Sequence, residues 1–209
     1  MMQMALLLGA FAAIGSGLVA LTQNATAERI AAEERATLLR NLHSLIPPAL
    51  HDNDMSKDAI EVTSKALLGT DQPVTVYRAR LKGVPVAAIL SPVAPDGYSG
   101  EIKLLVAIRY DGTIAGVRVV SHKETPGLGD AIEIARSDWI KGFDGRSLIN
   151  PGDDGWRVKK DGGIFDQFTG ATITPRAVVK ATHKCLQYFS ANRDTLFASP
   201  SGGTSNGKQ

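Results

Sequence analysis

The sequence is poor in the residues that make cross-links and metal sites. It has one cysteine, Cys185, in 209 residues, which excludes an intrachain disulfide framework and any Cys-rich zinc or iron–sulfur centre. Its four histidines, His43, His51, His122 and His183, stand at no metal-binding spacing. Basic blocks and aromatic ladders are missing too. Lys and Arg number 23 against 21 Asp and Glu, a net charge of +2 spread along the chain, so nucleic-acid binding has no support. Charge is absent altogether before Glu28. The chain is otherwise 44% hydrophobic and 21% charged, the composition of one folded domain with an appendage rather than of a disordered or polytopic membrane chain.

The appendage is the N-terminus. Met4 to Leu21 (MALLLGAFAAIGSGLVAL) carries one polar residue, Ser16. As a helix this run spans about 27 Å, enough for the hydrocarbon core of a bilayer. A retained single-pass transmembrane helix and a cleaved signal peptide ending at Ala25-Thr26-Ala27 are both open, although a signal peptide would carry a basic n-region and a shorter apolar core. Either exports the residues beyond Ala27. Arg29, Arg35 and Arg40 come after the run and no Lys or Arg precedes it, a bias that by itself would keep the C-terminal part inside.

The rest reads as four stretches: an anchor over 1–27, a membrane-proximal helix over 28–50 stopped at Pro47-Pro48, a folded domain over 51–198, and a disordered Ser/Gly-rich tail over 199–209. Two hairpins are expected in the domain. Val74–Leu81 and Val84–Leu90 flank Lys82-Gly83, and Ile102–Tyr110 and Thr113–Val120 flank Asp111-Gly112, whose Asp-Gly pair suits a tight turn with positive φ. Ile102, Leu104, Val106 and Ile108 alternate onto one face, as do Ala115, Val117 and Val119, predicting half-buried antiparallel strands. Helices are expected over Leu128–Lys141 and Pro175–Phe197, and a short strand at Trp156–Val158. In the second helix Val178, Ala181, Thr182, Cys185 and Phe189 fall at helical spacing, which makes Cys185 a small core residue. The fold class is α+β, an antiparallel sheet covered by helices.

Chemistry concentrates in Asp166 to Thr174 (DQFTGATIT), just before the second helix. Thr174 suits an N-cap and Pro175 a first helical position. Gly170 and Ala171 let backbone approach a neighbouring group. The hydroxyls of Thr169, Thr172 and Thr174 would gather near free helix amides, which attract anions. A capped helix after a glycine turn and a phosphate site both fit that pattern.

The segment resembles the flavinylation motif D-x-x-[ST]-G-A-[TS]-x-[TS] of the FMN-binding domain family. Ser121–Gly129 (SHKETPGLG) is similar to that family's E-T-P-G-L-G segment. Length, anchor and motif wording most resemble the G-subunit family of the Rnf (Rsx) electron transport complex, with the C-subunit family of the sodium-pumping NADH:quinone reductase as the rival. The resemblance implies covalent FMN, a phosphoester on Thr174, with Asp166, Thr169, Gly170, Ala171 and Thr172 as a recognition shell for a separate flavin transferase that takes FMN from FAD and leaves AMP. Asp166 as a plain turn residue remains open.

Glu124, Thr125, Gly127, Leu128 and Gly129 are the candidates for holding the isoalloxazine. Pro126-Gly127 suits a type II turn, after which the amides of 127–129 would face the ring. Lys159 and Lys160 are either solvated or set against the reduced flavin. The resemblance further implies an electron-transfer subunit of an ion-translocating oxidoreductase without substrate turnover of its own, partnered by other Rnf subunits, in the inner membrane with its flavin domain on the periplasmic side. A stand-alone exported FMN protein and a binding module with a vestigial motif are the other readings.

Overall fold

The computed structural model describes residues 2–198; the expected tail, 199–209, lies outside the described residues. By internal contacts the chain divides between Asn41 and Leu42 into two units. The first lies within helix α1 (Met2–Leu45). Along it Phe11, Ile14, Leu18, Val19 and Leu21 are exposed. The hydroxyls of Thr22 and Thr26 donate to the carbonyls of Leu18 (2.7 Å) and Thr22 (2.8 Å), so the helix backbone takes up its own polar side chains. Among the described residues no helix is long and apolar enough to cross a membrane.

The second unit is built on six antiparallel strands: β1 (Ala59–Val62), β2 (Val74–Leu81), β3 (Val84–Leu90), β4 (Val93–Ala94), β5 (Ile102–Arg109) and β6 (Ile114–Ser121). β1, β2 and β3 follow in order. β3 and β4 then share one edge of β5, with Leu90 opposite Val106 and Val93 opposite Lys103, and β6 takes the other edge. The first hairpin turns on Lys82 and Gly83, both at positive φ, as two-residue hairpins require. The second does not. There only Gly112 has positive φ, while Asp111 accepts from the amide and hydroxyl of Thr113 (2.8 and 2.6 Å). The amide of Gly112 donates to Arg109 and that of Arg109 to Thr113, a longer loop than the expected tight turn.

A register shift lies between Ala107 and Ile108, so that Ala107 faces Gly116 while Ile108 faces Ile114. The unpaired Ala115 is therefore a bulge, and it brings Ile114 and Val117 onto one face. That corrects the simple alternation of Ala115, Val117 and Val119.

Nor are the strands only half-buried. Ile102, Leu104, Val106 and Ile108 pack into a core with helix α3 (Ile173–Phe197; α2 is the single turn Lys65–Leu68), whose Val178, Ala181, Cys185, Leu186 and Phe189 are buried. Burial pushes the Cys185 thiol far above its usual range, as suits an inert core residue. On the opposite face Ala79, Ala87, Ile89, Leu105 and Ala107 are buried as well, together with Leu42, Leu45, Ile46 and Met55. A Cβ on Gly116 would meet Leu45 at 2.9 Å, so glycine there admits the last turn of α1 against β6.

The expected helix over 128–141 is instead two 3-10 turns, Gly129–Ile132 and Asp138–Phe143. Ser137 accounts for the break: its hydroxyl donates to Ala131 (2.7 Å) and accepts from the Trp139 amide (3.2 Å), bonds that compete with a helix ladder. Trp156–Val158 forms no strand, only a bridge from Val158 to Phe165.

Charge fixes the far end of α3. Arg78 donates to the carbonyls of Leu196 (3.3 Å) and Ala198 (3.2 Å), and Arg80 to that of Phe197 (3.0 Å). Both guanidiniums pair with Asp58, Arg80 at 2.8 Å. Cations suit a helix C-terminus, and the carboxylate keeps the buried Arg78 from standing unpaired. Asp58→Asn is expected to lower stability by about 3 kcal/mol, the cost of stranding a buried charge, read as a fall in the urea midpoint. An unchanged midpoint would mean that the helix carbonyls suffice.

Candidate functional site

The first turn of α3, the loop after β6 and the loop before β5 meet at a cleft of about 270 Å³. Glu124, Thr125, Leu128, Gly129, Gly170, Ala171, Thr172 and Thr174 line it, so the two segments singled out in the sequence come together in space. Tyr98 and Ile173 line it as well.

Thr174 lies at the bottom, fully buried. Its hydroxyl donates to the Oε2 of Glu124, itself buried, whose Oε1 accepts from the Ser99 amide at 2.9 Å. Two glycines make room for that carboxylate. A Cβ on Gly129 would stand 2.9 Å from Glu124 Oε2 and 3.0 Å from Thr174 Oγ1, and one on Gly97 would stand 3.0 Å from Glu124 Oε1. The amide of Glu124 donates to His122 Nδ1 (3.0 Å), and His122 Nε2 lies 2.6 Å from Glu133. An accepting Nδ1 places the ring proton on Nε2, facing the Glu133 carboxylate.

The contact with Glu124 also shifts the helix start. Residue type favours Thr174 as the cap, with Pro175 first inside the helix. Instead Thr172 holds the cap position without a side-chain cap bond, and α3 begins at Ile173. Pro175 becomes the third helical residue, where its missing N–H is still harmless.

The turn at Pro126-Gly127 forms as expected, with Gly127 at φ +79° and the Leu128 amide donating to Thr125 (3.1 Å). The Gly129 amide also goes to Thr125 (3.1 Å). The amides of Leu128 and Gly129, expected to face a ring, here both turn back into their own loop. Gly127 itself is not among the lining residues. Thr169 and Asp166 are exposed and stand outside the lining too. Asp166 pairs with Lys159 at 2.6 Å, which gives that lysine a partner other than the cleft.

Arg176, in the first turn of α3, forms a two-pronged pair with Asp161 (2.6 and 2.8 Å), and the guanidinium holds that carboxyl below its usual range. No Lys or Arg lines the cleft, so Glu124 is its single charged group among the described residues.

Tyr98 has only a faint local signal, an aromatic flanked by glycines in Gly97-Tyr98-Ser99-Gly100. Leu128, Ile173 and Tyr98 are all exposed at the lip, apolar surface beside a row of threonines.

That combination, a threonine hydroxyl beneath apolar walls, suits a flat aromatic cofactor. Residues 97–187 match the FMN-binding domain, and residues 1–45 match the RnfG N-terminal region. A protein of Pseudomonas aeruginosa (strain UCBPP-PA14) is 56% identical over 95% of this chain and 92% of its own. One of Pseudoalteromonas atlantica is 50% identical over 92% and 90%, and one of Vibrio cholerae 47% identical over 93% of each. All three are named as the G subunit of an ion-translocating oxidoreductase complex. The chain belongs to the RnfG family. FMN is accordingly the cofactor of its FMN-binding domain.

Two glycines of this RnfG site separate close contact from backbone strain. Gly129→Ala drives a methyl group into Glu124 and Thr174 and is expected to cost about 1–3 kcal/mol. Gly127→Ala meets nothing within 4 Å and is expected to cost about 1 kcal/mol, from its left-handed φ alone. Thermal unfolding of the two variants checks the order, and a reversed order would refute the packing assigned to Gly129.

Proposed function

We propose that the chain carries electrons through FMN joined as a phosphoester to Thr174, within a membrane complex that couples electron transfer to ion translocation. Support comes chiefly from the placement of Thr174: the last residue of the flavinylation motif is a buried hydroxyl at the base of a cleft formed with Glu124–Gly129. Bound FMN supplies the one- and two-electron chemistry, and the protein's part is to fix and surround it.

Thr174 is the tether. Thr172 and the amides at the start of α3 face the phosphate, since among the described residues no cation lines the cleft to do so and helix N-termini favour anions. Tyr98, Leu128 and Ile173 offer apolar walls to the ring. Asp166 and Thr169, exposed on the outer side of the motif, are the part a flavin transferase would grip. The amides of Leu128 and Gly129, spent within their own loop, have no role here.

The anchor belongs to the same reading. Residues 4–21 hold the chain in the inner membrane, with 1–27 acting in export and the flavin domain on the periplasmic side. The run free of charge before Glu28 supports this, as do the exposed Phe11, Ile14, Leu18 and Val19 and the threonine hydroxyls satisfied on their own helix. Other subunits of the complex are then the partners. The relatives' shared name, a G subunit within an ion-translocating oxidoreductase complex, favours this over a stand-alone flavoprotein.

Co-expression with a flavin transferase is expected to raise the chain mass by one FMN less one water. Thr174→Val is expected to abolish that gain while the domain still unfolds cooperatively, at a midpoint lowered by the hydrogen bond that Glu124 loses; attached flavin persisting in the variant would overturn the assignment. For topology, protease added to spheroplasts should digest the domain. Digestion only in inverted vesicles would reverse the orientation, in keeping with the bias of Arg29, Arg35 and Arg40.

A further inference from the structure

The residue read as the attachment point is closed to any enzyme that would modify it. Thr174 has no exposed surface, its proton is donated to Glu124, and Gly129 packs over the pair with no room for even a methyl group. The product of attachment is also incompatible with this arrangement. A phosphodiester on Oγ1 has no proton to give Glu124, and it brings a negative charge beside a buried carboxylate in a cleft that, among the described residues, no Lys or Arg lines. Unpaired like charges at such range are costly to hold.

Resting on the reading of Thr174 as the attachment point, we propose that Glu124 is a latch: its carboxylate locks the threonine in a closed, unloadable form, and flavin attachment proceeds through a locally opened state of the 122–129 loop. The loop is built for this. Thr125 to Leu128 are exposed, the turn at Pro126-Gly127 closes on itself through Thr125, and among the described residues two bonds, from Ser99 and Thr174, tie the Glu124 carboxylate down. His122, braced by Glu133, holds the Glu124 amide and marks the hinge end. Local openings of this kind leave the rest of a domain folded.

The motif is divided accordingly. Asp166, Thr169 and Gly170 are exposed while Thr174 is buried, so the transferase can engage the outer part before the hydroxyl emerges. Attachment then joins Thr174 Oγ1 to the phosphorus of the FMN half of a flavin dinucleotide. The pyrophosphate bond breaks, AMP leaves, and the hydroxyl proton passes to solvent. No electrons are exchanged.

The test measures the initial rate of mass gain when purified full-length chain, free of flavin and held in detergent, meets flavin transferase, FAD and magnesium. Glu124→Gln and Glu124→Ala are expected to load roughly ten- to hundredfold faster than the unmodified chain, the factor by which losing a hydrogen bond to a charged group shifts an opening equilibrium. Asp58→Asn, which weakens the domain far from the cleft, is expected to load at the unmodified rate. Loading of both Glu124 variants at or below the unmodified rate would overturn the latch. So would an equal acceleration in Asp58→Asn, because global unfolding would then be what exposes Thr174. Mass gain in Thr174→Val would instead remove the attachment point itself, an outcome distinct from failure of the latch.

Discussion

A carboxylate held out of water against a threonine hydroxyl is the contact on which this domain's geometry turns. Burying a charge without a counter-ion is unfavourable unless hydrogen bonds replace its hydration. Glu124 receives two at its carboxylate, from the Ser99 amide and from Thr174. Its neighbours are chosen by that need. Gly97 and Gly129 stand where any side chain would strike its oxygens, and His122 takes its amide. The start of α3 follows from it too, since Thr174 donates inward and leaves the cap position to Thr172.

The sheet serves as the frame that brings these pieces together. β4, β5 and β6 carry the loops holding Tyr98, Ser99 and Glu124 to one end, and α3 packs across the same face with its first turn at that end. The second buried face, covered by Leu42, Leu45, Ile46 and Met55, makes the frame rigid from behind. Cleft and frame are thus separate in their physics: the core is apolar and close-packed, whereas the cleft is held by a few polar contacts.

Much of this is legible in the residues, and the misses have physical reasons. Strand positions follow from alternation and turn residues, because Ile102, Leu104, Val106 and Ile108 share a face whatever covers the other. The second covered face is hidden, since Leu105 and Ala107 are equally apolar and read the same whether exposed or buried. The bulge at Ala115 leaves no local trace. Leu128–Lys141 has a helical rhythm of apolar residues, but Ser137 commits its hydroxyl to competing local bonds. Both functional segments are visible as motifs. Their meeting is not, because Glu124 and Thr174 stand 50 residues apart and no spacing rule states which side chain will face which. Tyr98 enters the cleft from a third segment by topology alone.

α3 is a rod with duties at both tips. Its first turn carries Thr174 to the cleft, and its last carbonyls accept directly from Arg78 and Arg80, both of which pair with Asp58. A helix turns about 100° per residue, so one residue added or removed between these tips would rotate one duty out of register with the other. The 25-residue span of α3 is for that reason a measured distance. The geometry therefore leaves α3 room to exchange side chains on its outer face but none for an inserted or deleted residue, and directs any change of length to the loops that neither tip relies on.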